Sequence, residues 1–393
     1  MEEVRKKWTE VKEGSTSFTF FQDADRIYDA SVFYNPKMEI NRDLTILILS
    51  SIIKNSSGGI TFLDPFAGTG VRSYRILNEL PSTSIQKVIA SDKNPLAIEI
   101  IKKNIDTYDF CGKLDVFHSD AYEIISNLIT DRKNVEIIDI DPFGSPITFL
   151  EISIRALQKN EGYLFITATD LQVLCGKFSD SCNRIYNAIP TRYFLCHEVA
   201  LRILIYNLLI SAGRLGVAID PIFSYHHEHF LRVKVKIIES KELANEQHKN
   251  IGFVHFCTDC SYVKHSHITE GIKFSNCPIC MKKLEEAGPL WLGQLYNNNY
   301  VENMKTELKN FKFASKKQIE KLLNNIIDEI DSSPFFYYIP YILRYCGKEG
   351  ITLLQLIESL QQNGFTVSRT VFNPEGLKTN ASYSDLVDVV KLY

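Results

Sequence analysis

The chain predicts an α/β protein built on a parallel sheet wound with helices, and three observations carry that reading. From about residue 59, short β-branched runs alternate with amphipathic helical patterns, as successive β-α-β units do. A glycine turn, DPFAGTG at 64–70, stands where the first strand should hand over to its helix. Near residue 240 the texture turns polar, KELANEQHKN, and two Cys-x-x-Cys pairs follow.

Taken in order, the strands are expected over 60–63, 88–90, 114–117, 135–140, 163–167 and 215–219. Helices are expected after Gly70, over 95–104, around 122–128 and over 145–157, and CHEVALRILIYNLLISAG reads as a long buried helix closed by Gly213. A final hairpin has 230–238 as its alternating second strand. The polar run marks a boundary between a unit over 1–240 and a tail over 241–393, the tail reading as a small α/β domain that includes a cysteine knuckle at 253–284.

Composition sets the class. At 45% hydrophobic and 23% charged, the chain is an ordinary globular one, and 393 residues suffice for a sizeable core. With no run of about 18 uncharged apolar residues and a polar start, MEEVRKKWTE, it is expected to be cytoplasmic, without a membrane partner, and monomeric. A net charge of −3 neither marks nor excludes a nucleic-acid partner, because phosphate binding needs local clusters of Lys and Arg. Lys312, Lys316, Lys317 and Lys321 form one such cluster, and by themselves read as a solvated helix face.

The strand ends carry the chemistry. Gly68 and Gly70 let backbone approach a ligand lying across the first strand's carboxyl end, which finishes at Asp64. Asp92, ending the second strand, can accept both hydroxyls of a ribose; Asp120 ends the third, and Ala121 beside it offers an N–H to an adenine edge. Neither the dinucleotide GxGxxG nor a phosphate-loop lysine is present. Three acids on successive strand ends instead match a Rossmann-like class I sheet that binds S-adenosylmethionine as methyl donor. The fourth strand ends in Asp141-Pro142-Phe143-Gly144, where such enzymes hold a target amine. An amine conjugated to a base ring attacks only if its hydrogens are held, and Asp141 with the Pro142 carbonyl can hold both while Phe143 offers a π-face. A carboxylate here suits guanine, whose N1–H and 2-amino group are adjacent donors.

Cys257, Cys260, Cys277 and Cys280, with sixteen residues between the pairs, have the spacing of a tetrahedral structural zinc site; His255, His265 and His267 are then superfluous as ligands. The other five cysteines read as buried thiols.

With these residues in hand, the chain resembles the tRNA (guanine-26-N2) dimethyltransferase family over nearly its whole length. The matching segments are EGSTSFTF, VFYNPKMEINRD, the glycine loop, IDIDPFGSPITFL, TATDLQVLCG, IPTRYFLCHEVALRIL, GPLWLG and GFTVSRTVFNPEGLKTNAS. The glycine loop, DPFAGTGVRS, departs from the family toward a generic amino-methyltransferase form, which bears on Phe66 but not on Asp64 or Arg72. The resemblance implies that Arg42 and Arg72 contact the cofactor's carboxylate, that Phe33 and Phe143 form two faces of a guanine slot, and that the tail positions tRNA through Arg369, Lys378 and its lysine helix. Two alternatives stay open: methylation of another exocyclic amine, and a non-catalytic zinc-knuckle RNA-binding protein.

Overall fold

The fold is taken from a computed structural model that describes residues 7–22, 30–56, 58–106, 108, 110, 112–270 and 275–393. Strands β1 (Lys7–Glu13) and β2 (Thr16–Gln22) form an antiparallel hairpin turning at Gly14, whose φ of +56° glycine adopts without strain. Sequence reading missed this hairpin, although its second run, TSFTFFQ, alternates at period two. Helix α1 (Glu39–Lys54) is buried continuously from Ile40 to Ile52, so it lacks the polar stripe by which a surface helix is recognised.

The predicted winding follows: β3 (Ile60–Asp64), α2 (Val71–Glu79), β4 (Ile85–Asp92), α3 (Pro95–Ile105), β5 (Leu114–His118), α4 (Ala121–Thr130), β6 (Ile137–Ile140), α5 (Leu150–Ala156) and β7 (Tyr163–Ala168). Then come α6 (Leu171–Leu174), α7 (Ser179–Tyr186), α8 (Cys196–Arg214), β8 (Ala218–His227) and β9 (Phe230–Ile238). The sheet order is β5-β4-β3-β6-β7-β9-β8; neighbours are parallel from β5 to β7, and β9 runs antiparallel to both its neighbours. Chain order reverses between β3 and β6, so a crevice opens at their carboxyl ends, where open α/β sheets bind ligands.

Several expected boundaries moved. Helix α8 runs through Gly213 and ends at Arg214; the chain turns at Gly216, φ +68°, and the last sheet segment starts at Ala218 rather than 215. Gly213 serves packing instead: a Cβ there would lie 2.4 Å from Cε1 of His248 on α9 (Lys241–His248). The helix expected from 145 starts as a 3-10 turn over Ile147–Phe149 and becomes α-helical at Leu150. By length and composition alone α8 could cross a membrane, but here it is a core helix: eleven of its residues from Glu198 to Leu209 are buried, every one but Asn207.

In the tail, β10 (Ile251–Phe256), β11 (Val263–His267) and β12 (Glu285–Trp291) form an antiparallel sheet of order β11-β10-β12. With α10 (Asn298–Glu307) and α11 (Lys316–Glu329) they join the main core, which includes Val254, Phe256, Trp291, Val301, Met304 and Leu323. The remaining elements are β13 (Tyr337–Tyr338), α12 (Ile339–Cys346), α13 (Leu353–Gln362), β14 (Val367–Arg369), β15 (Gly376–Thr379) and α14 (Tyr383–Lys391), with sheet order β13-β15-β14. Their apolar core contains Ile342, Leu356 and Leu386 together with Cys257, Cys260 and Cys277 of the knuckle.

Candidate functional site

The crevice between β3 and β6 is lined by charge. Phe62 and Leu63 of β3 stand opposite Ile137 and Ile138 of β6, which places Asp64 and Asp141 at adjacent strand ends. Arg72, on the first turn of α2, bridges them: its Nη1 lies 2.8 Å from Asp139, its Nη2 donates to Asp141, and its Nε is 3.9 Å from Asp64. Arg72 is therefore ion-paired within the protein, where the resemblance implied a contact to the cofactor.

Below this layer lies a pair that sequence reading did not single out. Arg232 on β9 reaches Asp139 at 2.5 Å and also donates to Thr167, while Lys234 donates to the Leu44 carbonyl at 3.0 Å. The side chains of Asp139, Arg232 and Lys234 are fully buried. Burial pushes the Asp139 carboxyl up, but Arg232 and Arg72 overcome it and hold the group below its ordinary range. Burial drives Lys234 well down. Asp64 goes the other way: burial raises it to about 7 despite Arg72, and its Oδ1 has no hydrogen-bond partner among the described residues. The available signal for Arg232 and Lys234 was their alternation in FLRVKVKII, where cations occupy positions that a core strand normally gives to apolar side chains.

The glycine loop is held from the neighbouring strand. Asp92 accepts N–H bonds from Gly68 at 2.8 Å and Asn94 at 2.9 Å. Gly68 and Gly70 have φ of +54° and +79°; a Cβ at Gly70 would meet the Tyr74 hydroxyl at 2.6 Å, its Cζ at 2.7 Å and Ile101 at 2.9 Å. Asp120 is exposed and caps α4 by accepting the Glu123 N–H at 3.0 Å, while Ala121 is buried beside it. Arg42 is buried against Glu13, with its Nε at 2.7 Å and Nη2 at 2.5 Å, and also donates to the Asn35 carbonyl.

Pro142 is buried and Phe143 is 72% exposed. Phe33 meets Phe143 edge to face, centroids 4.8 Å apart and planes at 87°. The two rings touch, so a guanine between them requires one ring to turn. Gly144 exchanges bonds with Thr169, its N–H donating to Oγ1 at 2.7 Å and its carbonyl accepting the Thr169 N–H at 3.0 Å, which ties the Asp-Pro-Phe turn to the end of β7.

The four knuckle thiols converge: Cys257 and Cys280 are 3.3 Å apart, Cys260 and Cys277 3.5 Å, and all lie within 4.8 Å. Zinc–sulfur bonds of about 2.3 Å give tetrahedral edges of about 3.8 Å, so four thiolates placed this way can hold zinc. Among the other cysteines only Cys182 is buried; Cys175, Cys196 and Cys346 are half-buried, and Cys111 lies outside the described residues. Lys378 is also buried, 3.6 Å from Glu198 and 3.5 Å from Glu329, so it is not available to phosphates. Arg369, Lys312, Lys317 and Lys321 are exposed, and Lys316 is half-buried.

What the sheet offers at its carboxyl edge is the equipment of an S-adenosylmethionine-dependent methyltransferase directed at an amine. The particular lineage comes from comparison: a family model described as N2,N2-dimethylguanosine tRNA methyltransferase matches residues 12–391, and the chain belongs to that family. The tRNA (guanine(26)-N(2))-dimethyltransferase of Methanobrevibacter smithii is 33% identical over 385 residues, covering 97% of this chain and 96% of the relative. That of Pyrococcus furiosus is 33% identical over 395 residues, covering 97% and 98%. The solved complex of Trm1 from Pyrococcus horikoshii with S-adenosyl-L-methionine superposes with a TM-score of 0.83 at 30% identity, covering 97% of this chain and 99% of that one.

Proposed function

We propose that this protein transfers methyl groups from S-adenosylmethionine to the exocyclic N2 of guanine 26 in tRNA, giving the monomethyl and then the dimethyl base. The observation that carries the reading is Asp141, a carboxylate beside the glycine-loop strand in a chain that its family matches from residue 12 to 391. The cofactor supplies an electrophilic methyl on a sulfonium. The protein must bind that group, hold the amine in line and remove a proton.

Asp64 suits the cofactor's ammonium end, because its buried Oδ1 lacks a partner that a cation would provide. Asp92 keeps acceptor capacity toward a ribose while it braces Gly68 and Asn94, and Asp120 and Ala121 are assigned to the adenine. Arg42 and Arg72 reach the carboxylate end only by sharing or exchanging their present partners, Glu13 for one and Asp139 with Asp141 for the other. Asp141 accepts one amine hydrogen and later the proton, the Pro142 carbonyl accepts the second hydrogen, and exposed Phe143 stacks on the base once Phe33 turns from its edge contact. The unit over 241–393, braced by zinc on Cys257, Cys260, Cys277 and Cys280, holds the tRNA body through Arg369 and the exposed lysines of α11. The protein is read as a cytoplasmic monomer that works away from membranes.

Single-turnover methylation of unmodified tRNA at saturating cofactor, followed by nucleoside mass spectrometry, tests this. The expected products are N2-methylguanosine and N2,N2-dimethylguanosine mapped to position 26. A methyladenosine or a ring-carbon methyl overturns the reading.

A further inference from the structure

Away from both the crevice and the knuckle, three soft or borderline donors converge from two parts of the chain. Cys175 follows α6, and Cys196 and His197 open α8; one donor atom from each lies within 4.8 Å of the others. This is the same mutual reach that brings the four knuckle thiols together. The Cys175 thiol lies 3.8 Å from the Cys196 carbonyl, so the two cysteines face each other across the α6–α8 gap.

His197 lies near the Cys196 thiol and the Phe372 backbone. A metal-binding histidine needs one ring nitrogen free for the ion while the other is held by a hydrogen-bond acceptor. The ring of His226, on β8, stacks on His197 at 3.7 Å and 12°, which fixes its plane. None of these groups serves the methyl-transfer roles assigned above.

We propose that Cys175, Cys196 and His197 form a second metal site, selective for a borderline ion of the zinc class. Two thiolates and one imidazole are a donor set such ions favour over magnesium or calcium. Three protein ligands leave a fourth position open, and all three residues are half-buried rather than sealed. The ion joins the end of α6 to the start of α8. The segment leading into α6 is bonded to the Asp-Pro-Phe-Gly turn through Thr169, so the site fastens that turn to α8.

The test uses the full chain, produced with zinc and desalted under reducing, oxygen-free conditions, with elemental analysis and X-ray absorption at the zinc edge. The expected result is two zinc ions per chain with about three sulfurs per zinc on average, one all-sulfur site and one with two sulfurs and a nitrogen. Cys175→Ser and His197→Ala should each lower the content to one zinc, and for Cys175→Ser the average should rise to about four sulfurs. One zinc in the wild-type protein, two retained in Cys175→Ser, or a Cys175–Cys196 disulfide in place of the second ion would overturn the proposal. Should a variant fail to fold, the wild-type stoichiometry and sulfur count decide alone.

Discussion

In the proposed mechanism Asp141 takes a proton from a base amine, and Arg72, which also grips Asp139, holds that carboxylate in place. Asp141→Asn keeps the shape but loses the base, and its amide N–H₂ can turn toward the target. Turnover should fall by about 10² or more, with cofactor affinity nearly unchanged, in single-turnover methylation paired with calorimetric cofactor titration. A wild-type rate would remove Asp141 from the chemistry. Arg72→Ala is a different case, since it leaves Asp139 and Asp64 buried with fewer cations. It should cost about 3 kcal/mol or more of stability in denaturant melts, so its binding data need that correction. Asp64 yields the pH prediction. Its folded pKa, raised to about 7, exceeds the ordinary carboxylate value, so the stability it contributes is present below about pH 4 and is lost as pH rises through about 7. In the proposed role, the cofactor's cationic end beside Asp64 favours the ionised carboxylate. Binding near pH 6 should therefore release protons, read as a buffer-dependent enthalpy in calorimetry, and Asp64→Asn should abolish the release. An enthalpy independent of buffer would detach Asp64 from the cofactor.

Elements owe their positions to a few side chains that local pattern does not announce. The C-terminal core closes over three knuckle cysteines, and Tyr383 on α14 donates to the Cys260 carbonyl at 2.7 Å. Zinc loss should therefore loosen more than the knuckle. Cys257→Ser with Cys280→Ser is expected to lose the knuckle zinc and to raise hydrogen exchange in both 253–284 and α14, while β3 to β7 keep their protection. Unchanged exchange in α14 would show that the knuckle stands alone. Two basic residues near β14 and β15 separate structure from RNA contact. Lys378→Met removes a buried cation between Glu198 and Glu329 and should cost about 3 kcal/mol, whereas Arg369→Ala should alter stability by about 0.5 kcal/mol or less and weaken tRNA binding instead. Equal losses of stability in the two variants would contradict this division.

For the whole molecule, the main core does not stop where the composition changes. Tyr300 on α10 meets the Tyr163 hydroxyl at 2.9 Å, and Arg202 on α8 donates to the carbonyls of Trp291 at 3.0 Å and Gly293 at 2.9 Å. A fragment ending at residue 240 would expose the apolar faces of α1 and α8 that β12 and α10 cover. It should lack a cooperative thermal transition and aggregate during purification, as checked by calorimetry and light scattering. A cooperative melt would show that the methyltransferase sheet folds alone.

Most local signals were legible in the sequence, the period-two alternation of β2 being one that was overlooked. The winding of β3 to β7, the strand-end acids, the Asp141-Pro142-Phe143 turn and the spacing of the four knuckle cysteines each depend on a few consecutive residues, and each stands where the chain places it. The structure decided what depends on distant partners. Whether Lys378 faces solvent or two carboxylates, whether Gly213 ends a helix or admits His248, and which anion Arg72 holds are settled by groups tens to hundreds of residues away. The same is true of Arg232 and Lys234. Basic side chains on a core strand are tolerated because partners such as Asp139 and the Leu44 carbonyl come to them, and in the folded chain those partners arrive from β6 and α1.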